Sequence, residues 1–321
     1  MGAAELPTTL PMWWSLRRLG CAAAVALPLL ALRGVAQSCC GVPTIALGGI
    51  ERGVNAVGTL TLGARYQYIA FGRSYNGSTP AADPLARTAY GHTFVLEAEY
   101  TPLARVALLL ALPFGVKERR LQQPEPYRYR ASGIGDAFAL VKYSVPLPLG
   151  EQALSAGAGV KFPTGDSHRE ADGVRLPRDV QPGTGTWELL LWLWGSSLLA
   201  DGLAGATASL LVRLPTADEF GFRNGSELQL SGTLTWLDCP IPGVLPALAL
   251  QWRQTDPDEL NGQMLPATGG KHLELRPTLT LQREPFALQL SATLPILRRT
   301  YGLQLVSTTH LQAELRWTWL P

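Results

Sequence analysis

Few side chains in this sequence are placed to do chemistry. The four histidines, His92, His168, His272 and His310, are scattered. None has a partner at H-x-x-x-H or H-E-x-x-H spacing, so no zinc-hydrolase pattern is present. No G-x-S-x-G elbow is found either. Two carboxylates stand out by their surroundings. Asp136 closes Gly133-Ile134-Gly135-Asp136, and Asp166 closes Pro163-Thr164-Gly165-Asp166. A third cluster, Pro182-Gly183-Thr184-Gly185, follows. No Lys-Ser/Thr pair completes a phosphate loop. Aspartates in such settings cap turns by side-chain-to-backbone bonds. No catalytic residue, metal site or cofactor is therefore expected.

Cysteine usage points to an oxidising compartment. Cys21 sits in an export-like leader, leaving Cys39, Cys40 and Cys239 in the mature chain. One disulfide among these three is expected, with the pairing open. The leader itself is Arg17-Arg18, an apolar run over 19–32, and Gly34 and Ala36 as small residues before a cleavage point at Gln37. Met12 opens a more conventional signal, which makes it the alternative start. The expected organisation is a signal peptide over 1–36, an N-terminal periplasmic segment over 37–54, and one barrel over 55–321.

The elements that must position everything else are strands. Only 16% of residues are charged, against about 25% in a typical soluble domain. After Arg33 no apolar run approaches the roughly 18 residues of a membrane helix. Net charge is +2, which offers no nucleic-acid footprint. Twelve segments alternate with period 2: 56–72, 91–101, 104–116, 135–146, 152–163, 185–199, 203–215, 226–237, 244–254, 271–283, 286–297 and 307–319. In 226–237, for example, Glu227, Gln229, Ser231 and Thr233 alternate with Leu228, Leu230, Gly232 and Leu234. Alternation alone fits a soluble sandwich as well as a barrel. The connections decide between them. They run long, short, long, short around the chain, with the last, 298–306, intermediate. That order, an even strand count and aromatics near strand ends predict an all-β, antiparallel, up-and-down transmembrane β-barrel. Pro277 alone falls inside a predicted strand, where it marks a bulge or a misplaced boundary.

In such a barrel the polar face is the inner one. The predicted inward charges are Arg65, Glu97, Glu99, Lys142, Lys161 and Arg213, then Glu227, Arg253, Glu274, Arg276, Glu314 and Arg316. Mixed signs brace the wall as cross-strand pairs, or line a pore and set its selectivity. The sixth strand breaks the pattern with Trp192 and Trp194 on its inner face. This greasy strip either guides an apolar ligand or packs against an inserted loop.

The three Gly/Pro phrases, with Val160-Lys161-Phe162 leading into the second, resemble those of the "MetA-pathway of phenol degradation" family. The motif match covers about 130–190 and the strand pattern about 50–321. The final Leu320-Pro321 departs from the terminal aromatic usual in such barrels. The resemblance implies an outer-membrane barrel that passes small organic solutes, often aromatic. The expected function is thus an outer-membrane channel. A closed structural or surface-interaction barrel is one alternative, and a barrel hydrolase another. Expected partners are outer-membrane lipid, the small solute and the barrel-assembly machinery during biogenesis.

Overall fold

The computed structural model describes residues 48–147 and 152–321. The predicted signal peptide, Cys39 and Cys40 lie outside those residues. Fifteen ladder segments form one antiparallel sheet that closes on itself. One short strand, Thr79–Ala81, only lengthens the first hairpin, and two staves are each broken in two, so the wall has twelve staves. In chain order they are β1 (Leu60–Asn76), β2 (Thr88–Leu103), β3 (Val106–Leu121), β4 (Tyr127–Ile134 and Ala137–Val145), β5 (Ala153–Phe162) and β6 (Glu188–Leu199). They continue with β7 (Ala204–Pro215), β8 (Glu227–Trp236), β9 (Val244–Thr255), β10 (Gly270–Arg283), β11 (Phe286–Ala292 and Leu294–Thr300) and β12 (Leu303–Trp319). Each pairs with its chain neighbour, and β12 closes onto β1 from Leu60↔Trp319 to Asn76↔Leu303.

The two faces are inverted relative to a soluble sandwich. Leu96, Leu110, Phe114 and Leu315 are about half exposed on the outer face, while Lys142 is 0% exposed and Glu99 1%. Only a wall with lipid outside and polar groups inside leaves leucine out and lysine in. Short turns gather at one rim: Ala104-Arg105, residues 200–203, 237–243 and 284–285. The first and last strands also end there. The longer connections gather at the opposite, outer rim.

Several staves outrun their expected ends. β3 and β4 were expected to stop at 116 and to start at 135, leaving a long loop over 117–134. The ladder instead continues to Leu121↔Tyr127, so the turn is only 122–126. Above the lipid both faces meet water. The contrast that marks a strand in sequence fades there while the ladder goes on. The 298–306 connection likewise shrinks to Tyr301-Gly302. Pro277 does lie within β10, paired with Leu248 of β9. Its other side faces the break in β11, where pairing pauses between Leu275↔Leu294 and Thr278↔Ser291. A residue without an N–H costs little at such a pause.

β4 is broken at Gly135-Asp136. Phe114 pairs with Ile134 and Ala111 with Phe138, so four steps on β4 oppose three on β3. This extra residue is a bulge, which re-aims a side chain. The Gly135 N–H donates to the Pro113 carbonyl (2.8 Å), and the Asp136 carboxylate turns inward, 4% exposed.

Candidate functional site

The inner face carries three tiers, which follow from the order of residues on the inward face of two neighbouring staves. Descending β6 from the outer rim, the inward residues are Glu188, Leu190, Trp192 and Trp194; descending β4 they are Asp136, Phe138, Leu140 and Lys142. Each stave thus runs from acid to apolar, and then to a hydrogen-bond donor.

The upper tier sews the mouth together. Asp136 accepts hydrogen bonds from Gly165 N (3.1 Å), Thr184 N (3.0 Å) and Thr184 Oγ1 (2.6 Å), and from Lys161 Nζ at 3.0 Å. All three glycine-rich phrases meet at this one carboxylate. Lys161 also pairs with Glu188 at 2.7 Å, and Glu188 accepts from Arg213 Nε at 3.0 Å. Arg213 approaches Glu227 at 4.0 Å. The ladder therefore alternates in sign from β4 to β8, and each buried charge has a partner, which such burial requires. Asp166 turns outward. Its Oδ1 accepts from His168 N (2.9 Å), an Asx turn, and its other oxygen pairs with Arg169 at 2.8 Å.

The loop over 163–187 folds across this tier. A Cβ added to Gly183 would stand 2.3 Å from the Gly165 carbonyl oxygen, so the two backbones touch only because both are glycine. Gly133 and Gly135 pack under Pro182. Pro163 ends β5, and Gly185 takes φ +72°. Leu176 and Val180 pack on Ala131 and Tyr129 of the β4 extension. Arg119 holds Asp179 at 2.9 Å through both carboxylate oxygens, and Lys117 donates to the Gln181 carbonyl. A cavity of about 190 Å³ remains between the loop and the charge ladder. Its far side is closed by the 216–226 and 256–269 connections. There Asp218 accepts from Phe220 N, Phe222 N and Arg178, which together hold its carboxyl below the ordinary aspartate range despite burial. Burial instead pushes the Asp258 carboxyl up, with the Gly225 N–H partly offsetting it.

The middle tier is apolar. Val95, Leu109, Ala111, Phe138, Leu140, Leu190, Trp192 and Leu211 form one buried cluster on the inner faces of β2, β3, β4, β6 and β7. A ninth member comes from elsewhere: Ile50, 6% exposed.

Ile50 belongs to the lower tier, which sequence reasoning missed. Residues 48–54 were expected in the periplasm. The 3-10 turn Gly48–Glu51 instead sits inside the barrel. Glu97 accepts from Gly48 N (2.7 Å) and Gly49 N (2.9 Å). Lys142 donates to the Gly49 and Arg52 carbonyls (2.6 and 3.1 Å) and pairs with Glu99 at 2.7 Å. The Trp192 and Trp194 indoles donate to the Ile50 and Glu51 carbonyls (2.9 and 3.1 Å). Glu51 pairs with Arg276, and Arg52 reaches Glu314 at 3.3 Å. Glu314 also pairs with Arg65 across the β1–β12 seam and lies 3.7 Å from Arg316. Arg253 and Glu274 face each other at 3.7 Å. The fourteen predicted residues sit at inward positions of the wall, and six of them, Glu97, Lys142, Trp192, Trp194, Arg276 and Glu314, bond to a segment that was not among them. The signal for it lay in the two inward indoles, whose buried N–H groups require acceptors that a strand wall does not supply.

His272 and His310 also face inward, His92 lies on the outer wall beside Tyr66 (2.7 Å), and His168 is in the mouth loop. Among the described residues no three His, Cys, Asp or Glu side chains converge in a metal-holding group. Cys239, in the 237–243 turn, is disulfide-bonded, and every other cysteine of the chain precedes Gly48.

Known structures share this architecture. The COG4313 outer membrane channel from Pseudomonas putida F1 matches with a TM-score of 0.69 and 13% identity, over 86% of this chain and 100% of that one. The β domain of the Bordetella autotransporter BrkA gives 0.47 and 13%, over 83% and 100%. The TodX monoaromatic hydrocarbon channel deltaS2 mutant gives 0.42 and 9%, over 89% and 96%. No protein-family model and no curated protein matches the sequence. At such identity the likeness is one of fold, and the fold, with its lipid-facing leucines, is that of a bacterial outer-membrane β-barrel.

Proposed function

We propose that this protein is a gated outer-membrane channel for small apolar organic solutes, aromatic ones included, and that residues 48–53 are its closing element. The observation that carries the reading is the apolar middle tier. A barrel interior built only to brace its wall has no use for Val95, Leu109, Phe138, Leu140 and Leu190 in one patch between two charged tiers. With the segment seated, Ile50 covers that patch. With it withdrawn, a solute entering from the mouth cavity meets a continuous apolar surface ending at Trp192 and Trp194. The inward charges then form the polar rest of the lining, and their pairing keeps the wall in shape.

The test is uptake of a radiolabelled monoaromatic solute at low concentration by cells carrying the wild type, a form lacking residues 48–53, or no protein. Uptake should rise in that order: none, wild type, deletion. Uptake equal in all three, with the barrel assembled, overturns the proposal. A closed structural barrel is the second reading, favoured by how fully the segment is bonded into the lumen. It predicts no ionic conductance in planar bilayers from either form.

A further inference from the structure

The outer wall carries a second feature that no channel role explains. On β3 the outward residues ascend Leu110, Leu112, Phe114, Val116, Glu118, Arg120. The register sets Phe94 and Ile134 beside Phe114, and all three are about half exposed, so this row belongs to the lipid belt. Four residues further, Tyr90 and Arg130 flank Glu118, and beyond them Arg120 pairs with Arg128. At about 3.4 Å per residue and a tilt near 40°, those rows stand roughly 10–16 Å above the Phe114 row, the level of lipid headgroups.

The charges there are unbalanced. Three arginines, Arg120, Arg128 and Arg130, share these rows with one carboxylate, and two of them bind it. Glu118 is 4% exposed beneath them, accepting from Tyr90 Oη and Arg120 Nε (both 2.7 Å) and from Arg128. Arg120 and Arg128 are 49% and 52% exposed, and Arg130 is exposed too. Arg120 also stacks over the Tyr90 ring at 5.0 Å. Glu118 thus uses one edge of each of two arginine forks and points the rest outward, which lowers the ordering cost of binding. Planar forks of this kind match phosphate oxygens bidentately. The next acid along the hairpin, Glu125, is in the turn at its tip.

We propose that this patch binds the phosphate groups of lipid A, the phosphorylated glycolipid of the outer leaflet, with its acyl chains lying on the Phe94–Phe114–Ile134 row below. The commitment to a lipid rests on that continuity: the phosphate site stands directly above apolar wall that only an acyl chain covers. The proposal rests on the barrel's place in the membrane and is independent of what the lumen transmits.

The folded protein, stripped of endogenous glycolipid in detergent, is titrated with bis-phosphorylated lipid A and read by native mass spectrometry. Parallel arms use enzymatically dephosphorylated lipid A and inorganic phosphate as competitor. The R120Q/R128Q/R130Q variant should bind bis-phosphorylated lipid A at least about tenfold more weakly, as loss of two charge-assisted contacts implies. The matching lysine triple should bind between the two. R105Q/R283Q, at the short-turn rim, should bind like wild type. Dephosphorylated lipid should not distinguish wild type from the glutamine triple, and inorganic phosphate should not compete at equal concentration. Folding is checked by the heat-induced gel shift, and single R128Q and R130Q variants stand in if the triple does not assemble. Equal affinity of wild type and the glutamine variants for bis-phosphorylated lipid A overturns the proposal. So does displacement by equimolar phosphate, which would mark a free-anion site.

Discussion

Replacing Glu97 by glutamine should loosen the seat of the lumenal segment without harming the wall. Glu97 lies in β2, and its two oxygens take the N–H groups of Gly48 and Gly49 at 2.7 and 2.9 Å. Glutamine fits the same space but keeps one acceptor and turns an amide NH₂ toward the other N–H. One charge-assisted bond is lost and the other becomes neutral. With about 1.5–3 kcal/mol for a charged hydrogen bond and about 1 for a neutral one, the seated state loses roughly 2–5 kcal/mol. Each 1.4 kcal/mol is about tenfold, so the ratio of unseated to seated should rise at least about 30-fold. Lys142, Trp192, Trp194 and Arg276 still hold the segment, so it remains mostly seated. Trp192→Phe removes one more neutral bond, and the double variant should gain a further several-fold. Single-channel recording in planar bilayers reads this as the fraction of time in the high-conductance state. If E97Q and E97Q/W192F assemble fully and record like wild type, the segment is not the gate.

Other outcomes follow from the same contacts. Lys161→Met leaves Asp136 and Glu188 buried without their shared cation, a change of about 3–5 kcal/mol for a broken buried pair, and should lower the barrel's unfolding temperature in detergent. Gly183→Ala drives a methyl into the Gly165 carbonyl and should cost about 1–3 kcal/mol of loop stability, seen as faster trypsin cutting at Arg175 and Arg178 on intact cells. Asp218 titrates below the ordinary aspartate range when folded, so its hold on Arg178 and the 220–222 turn is complete above that range and lost as pH falls through the lower folded value. Asp218→Asn should give at neutral pH the loop sensitivity that wild type shows only at such acid pH. Cys239→Ser removes the disulfide at the 237–243 turn and should lower the barrel's unfolding temperature in non-reducing detergent, with no such drop under reducing conditions.

The barrel was legible because a wall between lipid and a polar interior forces period 2, and because the longest connections, such as 163–187 and 256–269, fall on one rim. The boundaries of β3 and β4 were not, because Arg128, Tyr129 and Arg130 stand above the lipid, where both faces tolerate polar side chains. Asp136 was legible as turn hardware from its glycine neighbours. Its reach to Thr184, 48 residues away, required the fold. Residues 48–53 were illegible for a different reason. Gly-Gly-Ile-Glu-Arg-Gly reads as a linker, and its seat is made mostly by backbone N–H and C=O groups that every sequence carries. The information was in the receptors: Glu97, Lys142, Trp192 and Trp194 are an unusual set of inward donors and acceptors for a wall to present to water alone.

The β1–β12 seam has a consequence for assembly. It joins residues some 250 apart in the chain, Leu60 to Trp319 among them, and so is the contact with the greatest loop-closure cost to be met before any reward. The lumenal segment is bonded to both sides of that late event. Its carbonyls engage Lys142 and the β6 indoles, made early in synthesis, while Arg52 reaches Glu314 on the final stave. An open sheet can wrap a peptide that a finished cylinder must first take in through one rim. The segment is therefore best captured while the sheet is still an open, curling half-pipe, where it acts as a mandrel that offers the last strand an oppositely charged landing point. Nascent barrels lacking residues 48–53 should then close more slowly, and an opened intermediate should persist longer during refolding into detergent even where the finished wall is sound.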